Sequence, residues 1–387
     1  MMNPMLKSIL GFILLSLASS YLVGRAVIVF LMFKNAPARL EEFRVNADFE
    51  VKFADQFRNC EDALMVEEDG VAILSCDAGR DRWNTVMGTF PEDPSQVPSG
   101  ELIIYHYTSQ KESINRVTFL DYPAANNFHP LGVEYHRPSN TLFVCNHHPN
   151  GSRLDVFSMD LSKSEATATY RSTIADPVLK GPNSVVAISD HELYVSNDHY
   201  FLKRYNPWLS TIETYAGIPG GAVAYVNVKS GTVRPVAHVP FANGVVQLNE
   251  TVLAVASTST ARVYLYQIQP DRSLRRVDSV KLPFLPDNLS IDKRGTLLIA
   301  GHPHPPSLEK VAKSRPRCQA DAADCPNVHA PSWVAEWKPD GSYRNIFVSK
   351  SDFITSSTAI RDADRKLGIV TGLYEKGILV WREENPL

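Results

Sequence analysis

The sequence predicts an all-β fold, a six-bladed β-propeller carried behind an N-terminal hydrophobic helix. Three observations predict it. One short pattern occurs five times: GluAspAlaLeuMetVal from Glu61, AsnSerValValAlaIle from Asn183, AsnGlyValValGlnLeu from Asn243, AspAsnLeuSerIle from Asp287 and SerThrAlaIle from Ser357. Each copy opens on an oxygen-bearing side chain, runs into a short apolar strand, turns on polar residues and enters a second strand, as at 71–76, 192–197, 251–256 and 296–301. A sixth segment, LeuGlyValGluTyrHis from Leu131 followed by ThrLeuPheValCysAsn, has the same shape without a carboxamide at its head. Strand pairs repeating every 45 to 70 residues or so mark a propeller. Finally, helical periodicity is scarce after residue 45, whereas alternating Val, Ile, Leu and Tyr runs bounded by Asn, Asp, Gly and Pro recur throughout.

The chain begins differently. From Ile9 to Phe33 it is apolar apart from Arg25, Tyr21 and the serines, with Lys7 in front. That length can cross a bilayer, which needs ~20 apolar residues. Arg25 costs about 2.5–3.5 kcal/mol at mid-membrane on insertion scales. The shorter run Ile9 to Gly24, with Ala18, Ser19 and Ser20, also fits a cleavable signal peptide. Residues 1–40 are therefore a signal anchor or a signal peptide with a short linker, and 41–387 a single propeller domain. Lys34 and Arg39 offset Lys7, so charge does not fix orientation; both readings place the propeller on the lumenal or outer side, membrane-anchored or secreted.

Two sequons, Asn150-Gly-Ser152 and Asn249-Glu-Thr251, fall in predicted turns and suit glycosylation on that side. A third, at Asn288, coincides with a candidate ligand described below and is not expected to carry sugar. Of five cysteines, Cys318 and Cys325 flank a polar stretch and are expected to close a local disulfide. Cys76 and Cys145 lie in predicted buried strands and are expected as free thiols; Cys60 abuts Glu61. With 39 basic and 42 acidic residues and no long basic run, nucleic acid is excluded as an expected partner.

Equivalent positions of successive blades face one channel. Glu61, Asn183, Asn243, Asp287 and Asn288 then form a ring of hard oxygen ligands, and such a ring suits calcium, which takes six to eight oxygens. A lone Asn at a strand end is ordinarily a turn or capping residue. Turn duty, however, gives no reason for the polar residue to recur on the channel side. Zinc is disfavoured: the chain has no HisGluXXHis and no CysXXCys sequence.

AsnHisHisPro (146–149), AsnAspHisTyrPhe (197–201), PheAlaAsnGly (241–244), AspAsnLeuSerIleAsp (287–292), GlyHisPro (301–303) and SerThrAla (357–359) together resemble the paraoxonase/arylesterase family of six-bladed propellers. The resemblance covers about residues 55 to 385. It implies calcium-dependent hydrolysis of small hydrophobic esters or lactones, with the catalytic ion on the five residues above. It implies a second, structural calcium on Asp62 and the backbone carbonyl of Val133; the third ligand, an Asp in the family, is Ser184 here. The family's base His falls on Leu131, which cannot move a proton. Its partner His matches His147, leaving His147, His129 two residues before Leu131, and His302 as candidate bases, with His199 a further candidate. The family's Cys tether between the chain ends is missing, so closure is expected from strands alone, residues 43–53 completing the blade of 376–382. Two other functions stay open: a non-hydrolytic isomerisation or cyclisation of a hydrophobic intermediate at the same site, motivated by Leu131, and a calcium-stabilised binding propeller.

Overall fold

The computed structural model describes residues 4–162, 165–317 and 328–383. Six antiparallel four-stranded sheets form blades I to VI around a central channel. Their innermost strands are Cys60–Val66, Pro130–His136, Pro182–Ala187, Ala242–Asn249, Leu285–Ile291 and Ser356–Asp362. Blades II and V each gain a fifth strand, Thr118–Leu120 and Phe43–Arg44. Ala47–Lys52 pairs antiparallel with Ile378–Glu383, from Ala47 opposite Glu383 to Lys52 opposite Ile378. Ala47–Lys52 thus completes the last blade while Phe43–Arg44 joins blade V, so of the expected segment 43–53 the later part closes the ring.

Second strands such as Val71–Cys76, Leu297–His302 and Leu367–Gly372 are buried along their whole length. They are covered on both faces by neighbouring blades, so they read as continuous apolar runs rather than alternating ones. Apolar clusters fill the wedges between blades; Phe128, Phe157 and Tyr122 pack against Ile104 between blades I and II, and Ile103 and Tyr105 meet Ile360 and Val380 across the closing seam. Near the channel the inner strands approach so closely that two positions require glycine. A Cβ on Gly132 would stand 2.4 Å from the Asn183 carbonyl oxygen, and one on Gly244 would stand 2.5 Å from the Leu289 nitrogen.

The cysteine expectations need one correction. Cys76 is not a free thiol: it is bonded to Cys60, directly opposite in the adjacent strand of blade I. Cys145 is free and buried. Cys318 and Cys325 lie outside the described residues.

Three helices accompany the sheets: α1 (Pro4–Lys34), α2 (Pro207–Ala216) and α3 (Pro305–Ser314). The latter two start with Pro in the first turn, where its missing N–H costs nothing. By length and composition Leu15–Lys34 of α1 is apolar enough to cross a membrane. Its second half nevertheless lies against the propeller rim. The Tyr21 hydroxyl donates to the Ala216 carbonyl (2.8 Å), Arg25 to the Ser259 carbonyl (2.9 Å), and Asn35 just beyond the helix to the Pro283 carbonyl (2.7 Å). The Ser259 and Tyr215 carbonyls meet the charge that made Arg25 awkward in an apolar helix.

Candidate metal and active site at the channel mouth

In every blade the ladder between the first two strands shifts register at the same place. The shifts fall between Cys60 and Asp62, Pro130 and Val133, Pro182 and Val185, Ala242 and Val245, Pro286 and Leu289, and Ser356 and Thr358. The residues left out of the pairing are Glu61, Leu131 with Gly132, Asn183 with Ser184, Asn243 with Gly244, Asp287 with Asn288, and Ser357. A bulge frees a residue from the alternation of the strand and re-aims its side chain. The polar residue heading each repeat is therefore a bulge residue, and five of the six bulges face Glu61, Leu131, Asn183, Asn243 and Asp287 into one cavity.

Glu61, Asn183, Asn243 and Asn288 are buried, and each carries one side-chain oxygen with no hydrogen-bond partner: Glu61 Oε2, Asn183 Oδ1, Asn243 Oδ1 and Asn288 Oδ1. For two of the amides the nitrogen side is committed. Asn243 Nδ2 donates to Asp287 Oδ1 (2.6 Å) and Thr258 Oγ1 (3.2 Å); Asn288 Nδ2 donates to Glu61 Oε1 (2.9 Å) and Thr358 Oγ1 (3.0 Å). These donors leave the carbonyl oxygens as the free atoms. A buried acceptor without a donor costs about 1–3 kcal/mol, so four such oxygens are a poor arrangement for a protein alone and a good one around a cation. The donor set is all oxygen, which fits calcium. Among the described residues no group of three or more His, Cys, Asp or Glu is placed to hold a metal; here amides supply most of the ligands.

Burial pushes the Glu61 carboxyl well above the ordinary glutamate range, and the nearby Asp62 and Asp287 charges push it further. A divalent cation among these groups reverses that balance by favouring every ionised form.

Of the three candidate bases, only His302 lines the cavity. Its Nε2 lies 2.8 Å from Asp287 Oδ2, and its Nδ1 is buried without a partner. His147 is fully engaged elsewhere: one ring nitrogen meets the Thr85 hydroxyl and Nε2 lies 2.7 Å from the Pro182 carbonyl, the residue before Asn183. Burial lowers its pKa. His129 is clamped by Asp77 at 3.1 Å, and its ring lies beside that of Trp83. Neither His147 nor His129 lines the cavity. His199 does line it, with Nε2 at 2.7 Å from the Thr214 hydroxyl. Leu131 sits on the wall, in the cavity where the family resemblance expects a histidine.

Asp62, expected with Val133 at a second calcium, is turned to hydrogen-bond donors. Its Oδ2 accepts from the Val133 N–H (2.9 Å), and Oδ1 accepts from the Ala63 N–H (2.8 Å) and the Thr358 hydroxyl (3.1 Å). Ser184 accepts from the Val245 N–H (3.2 Å). Both Asp62 oxygens thus have donors within the protein, unlike the unmet oxygens of the upper ring. Burial still raises Asp62 to about 6. Of the sequons, Asn150 and Asn249 are exposed and Asn288 is buried.

The cavity measures about 100 Å³. Much of its wall was not anticipated: Ile28 and Met32 come from α1, Tyr215 from α2, Leu308 and Glu309 from α3, and Lys203 from the loop before α2. The HisProHisProPro run at 302–306 was an available signal for the start of α3.

A family model described as Arylesterase matches residues 93–318, more than half of the chain. Serum paraoxonase/arylesterase 2 of Rattus norvegicus is 26% identical over 251 residues, 61% of this chain and 63% of that protein. Serum paraoxonase/arylesterase 1 of Homo sapiens is 28% identical over 185 residues, 46% of this chain and 50% of that protein. The chain thus spans between half and just under two thirds of these relatives' length. Among solved structures, a gluconolactonase from Xanthomonas campestris superposes with a TM-score of 0.51 at 13% identity, covering 87% of this chain and 89% of that one. Another structure described as a gluconolactonase gives 0.51 at 17% identity, covering 89% and 94%. At such identities the likeness supports the propeller fold alone. With the bulged ring and the matched segment together, the chain belongs to the arylesterase family.

Proposed function

We propose that this protein is a calcium-dependent hydrolase of carboxylic esters or lactones. The observation that carries the reading is the set of four partnerless buried oxygens from the bulges of blades I, III, IV and V: those of Glu61, Asn183 and Asn243 on residues that line the cavity, and that of Asn288, which is hydrogen-bonded to Glu61. Glu61, Asn183, Asn243, Asp287 and Asn288 would hold the ion. When bound, calcium supplies Lewis-acid polarisation of the substrate carbonyl and stabilises charge developing on its oxygen.

The chain's own residues supply the rest. Asp287 Oδ2 accepts the Nε2 proton of His302, which leaves Nδ1 as the acceptor for a proton from the attacking water. His147 fixes the strand carrying Asn183 through its bond to the Pro182 carbonyl. Leu131, Phe241, Leu285, Ile28 and Met32 form an apolar wall suited to a hydrophobic acyl or aryl group. Helix α1 serves as anchor or signal segment, and its docked half closes one side of the cavity. The relatives are named as serum proteins, which agrees with a propeller on the lumenal or outer side.

Leu131 favours one alternative: the same site working without hydrolysis, on rearrangement or cyclisation of a hydrophobic intermediate. Release of phenol from phenyl acetate and opening of an aliphatic lactone, each measured with calcium and with a chelator, decide. Turnover that the chelator abolishes and calcium restores supports the proposal. Turnover indifferent to chelator overturns it, and calcium binding without turnover favours the alternative.

A further inference from the structure

Three cations line the cavity: Arg25, Arg80 and Lys203. Each arginine donates to a backbone carbonyl, although Arg80 Nε is buried without a partner. Arg80 donates to Pro130 (2.7 Å), and Arg25 to Ser259 (2.9 Å) and Tyr215 (3.4 Å). Lys203 is different: among the described residues its ammonium has no hydrogen-bond or ion-pair partner.

Nor does Lys203 trail into solvent. Its stem is packed against Gly88, whose φ of +78° and lack of a side chain leave room for it; a Cβ there would stand 3.0 Å from the Lys203 Cδ. The side chain forms part of the partition between this cavity and an adjoining one of about 460 Å³. Burial lowers the Lys203 pKa; the carboxylates of Glu309 and Asp198 pull it up and Lys313 pulls it down. Glu309 is itself engaged by the Tyr215 hydroxyl and by Lys313 at 3.6 Å. Lys203 is half-buried with a fixed stem and no partner on its ammonium, an arrangement that a ligand of opposite charge would complete.

We infer that Lys203 is a specificity residue whose ammonium pairs with a carboxylate on the substrate, at the end remote from the scissile ester or lactone bond. A single compact cation with no second donor beside it matches a monoanion better than a bidentate phosphate site would. The preferred substrate class is therefore an apolar ester or lactone that ends in a carboxylate. This rests on the hydrolase reading of the same cavity and adds the substrate's charge to it.

The test compares monophenyl adipate with its methyl ester, in which a methyl cap replaces the negative charge, by phenol release from the full chain in calcium. In the wild type the anionic ester is preferred. In Lys203→Met the ratio of kcat/KM for the anionic over the capped ester falls about 10-fold, as expected for loss of one partly buried charge pair, and the change lies in KM. Lys203→Arg retains most of the preference and Lys203→Glu inverts it. An unchanged ratio in Lys203→Met, with a thermal melt showing that the variant is folded, overturns the inference and leaves the hydrolase reading standing. If neither ester turns over, the hydrolase reading fails, and calorimetric titration of monophenyl adipate decides the inference: weaker binding to Lys203→Met supports it, equal binding overturns it.

Discussion

The six inner strands present two layers of polar groups to one channel, and the layers follow opposite rules. In the upper layer Glu61, Asn183, Asn243 and Asn288 each keep a buried oxygen without a donor. One residue further along the same bulges, Asp62 and Ser184 accept from the backbone of the neighbouring blades. Buried acceptors are tolerated without donors only where something else meets them. The contrast separates a layer of unmet oxygens from one whose acceptors tie neighbouring blades together, although both are polar and both come from the same repeat.

The largest expected difference between the layers is in activity. Asn243→Ala should lower kcat/KM for phenyl acetate by about 10²–10³-fold, the scale of losing an electrostatic stabiliser of the reacting carbonyl. It should also abolish any rise in Tm on adding calcium. Asp62→Asn should cost stability, roughly 1–3 kcal/mol by chemical denaturation, and leave calcium binding in place. Equal loss of calcium response in both variants would erase the distinction.

A smaller effect separates the histidines. His302→Gln should reduce kcat about 100-fold, as for loss of a general base. His147→Gln, acting only through the Asn183 strand, should lower Tm more than it lowers kcat. A reversed order would make His147 the base and His302 a support for Asp287.

The smallest effect concerns the lower layer and pH. Burial raises the Glu134 carboxyl to about 7, with Asp62 adding to the shift and a bond from the Ala187 N–H opposing it. The unfolded value is about 4.3. Between the two, the folded chain holds a proton that the unfolded chain releases, so this group's stability is fully present below about pH 4 and is lost as pH rises through 7. Glu134→Gln should flatten that fall in Tm between pH 5 and 8; an unchanged slope would assign it to Asp62, whose carboxyl shifts in the same direction.

The ring was legible in the sequence because a polar residue heading an apolar strand, repeated at blade spacing, needs no tertiary knowledge to be noticed. Closure by residues 43–53 was legible for the same reason: the last blade lacked a strand and the chain start offered one. What the lower layer does was not legible. The donors that claim Asp62 come from Val133 and Thr358, 71 and 296 residues away, and the choice between cation and hydrogen bonds is set by those approaches. Histidine roles were hidden for a similar reason, since His129 and His147 stand as close to the motifs as His302 does. The Cys60–Cys76 bond depends on a strand register that the bulge at Glu61 shifts. Helices α2 and α3 lie in loops between blades, where strand periodicity says nothing, and the docking of α1 on the rim reflects carbonyls of Ala216 and Ser259 far along the chain.

Calorimetric titration of the chelator-stripped full chain with calcium tests the central claim most directly. One ion per chain, with binding lost in Asn243→Ala and retained in Asp62→Asn, is the predicted result. A chain that takes up no calcium at millimolar concentration, or whose binding follows Asp62 rather than Asn243, would contradict it.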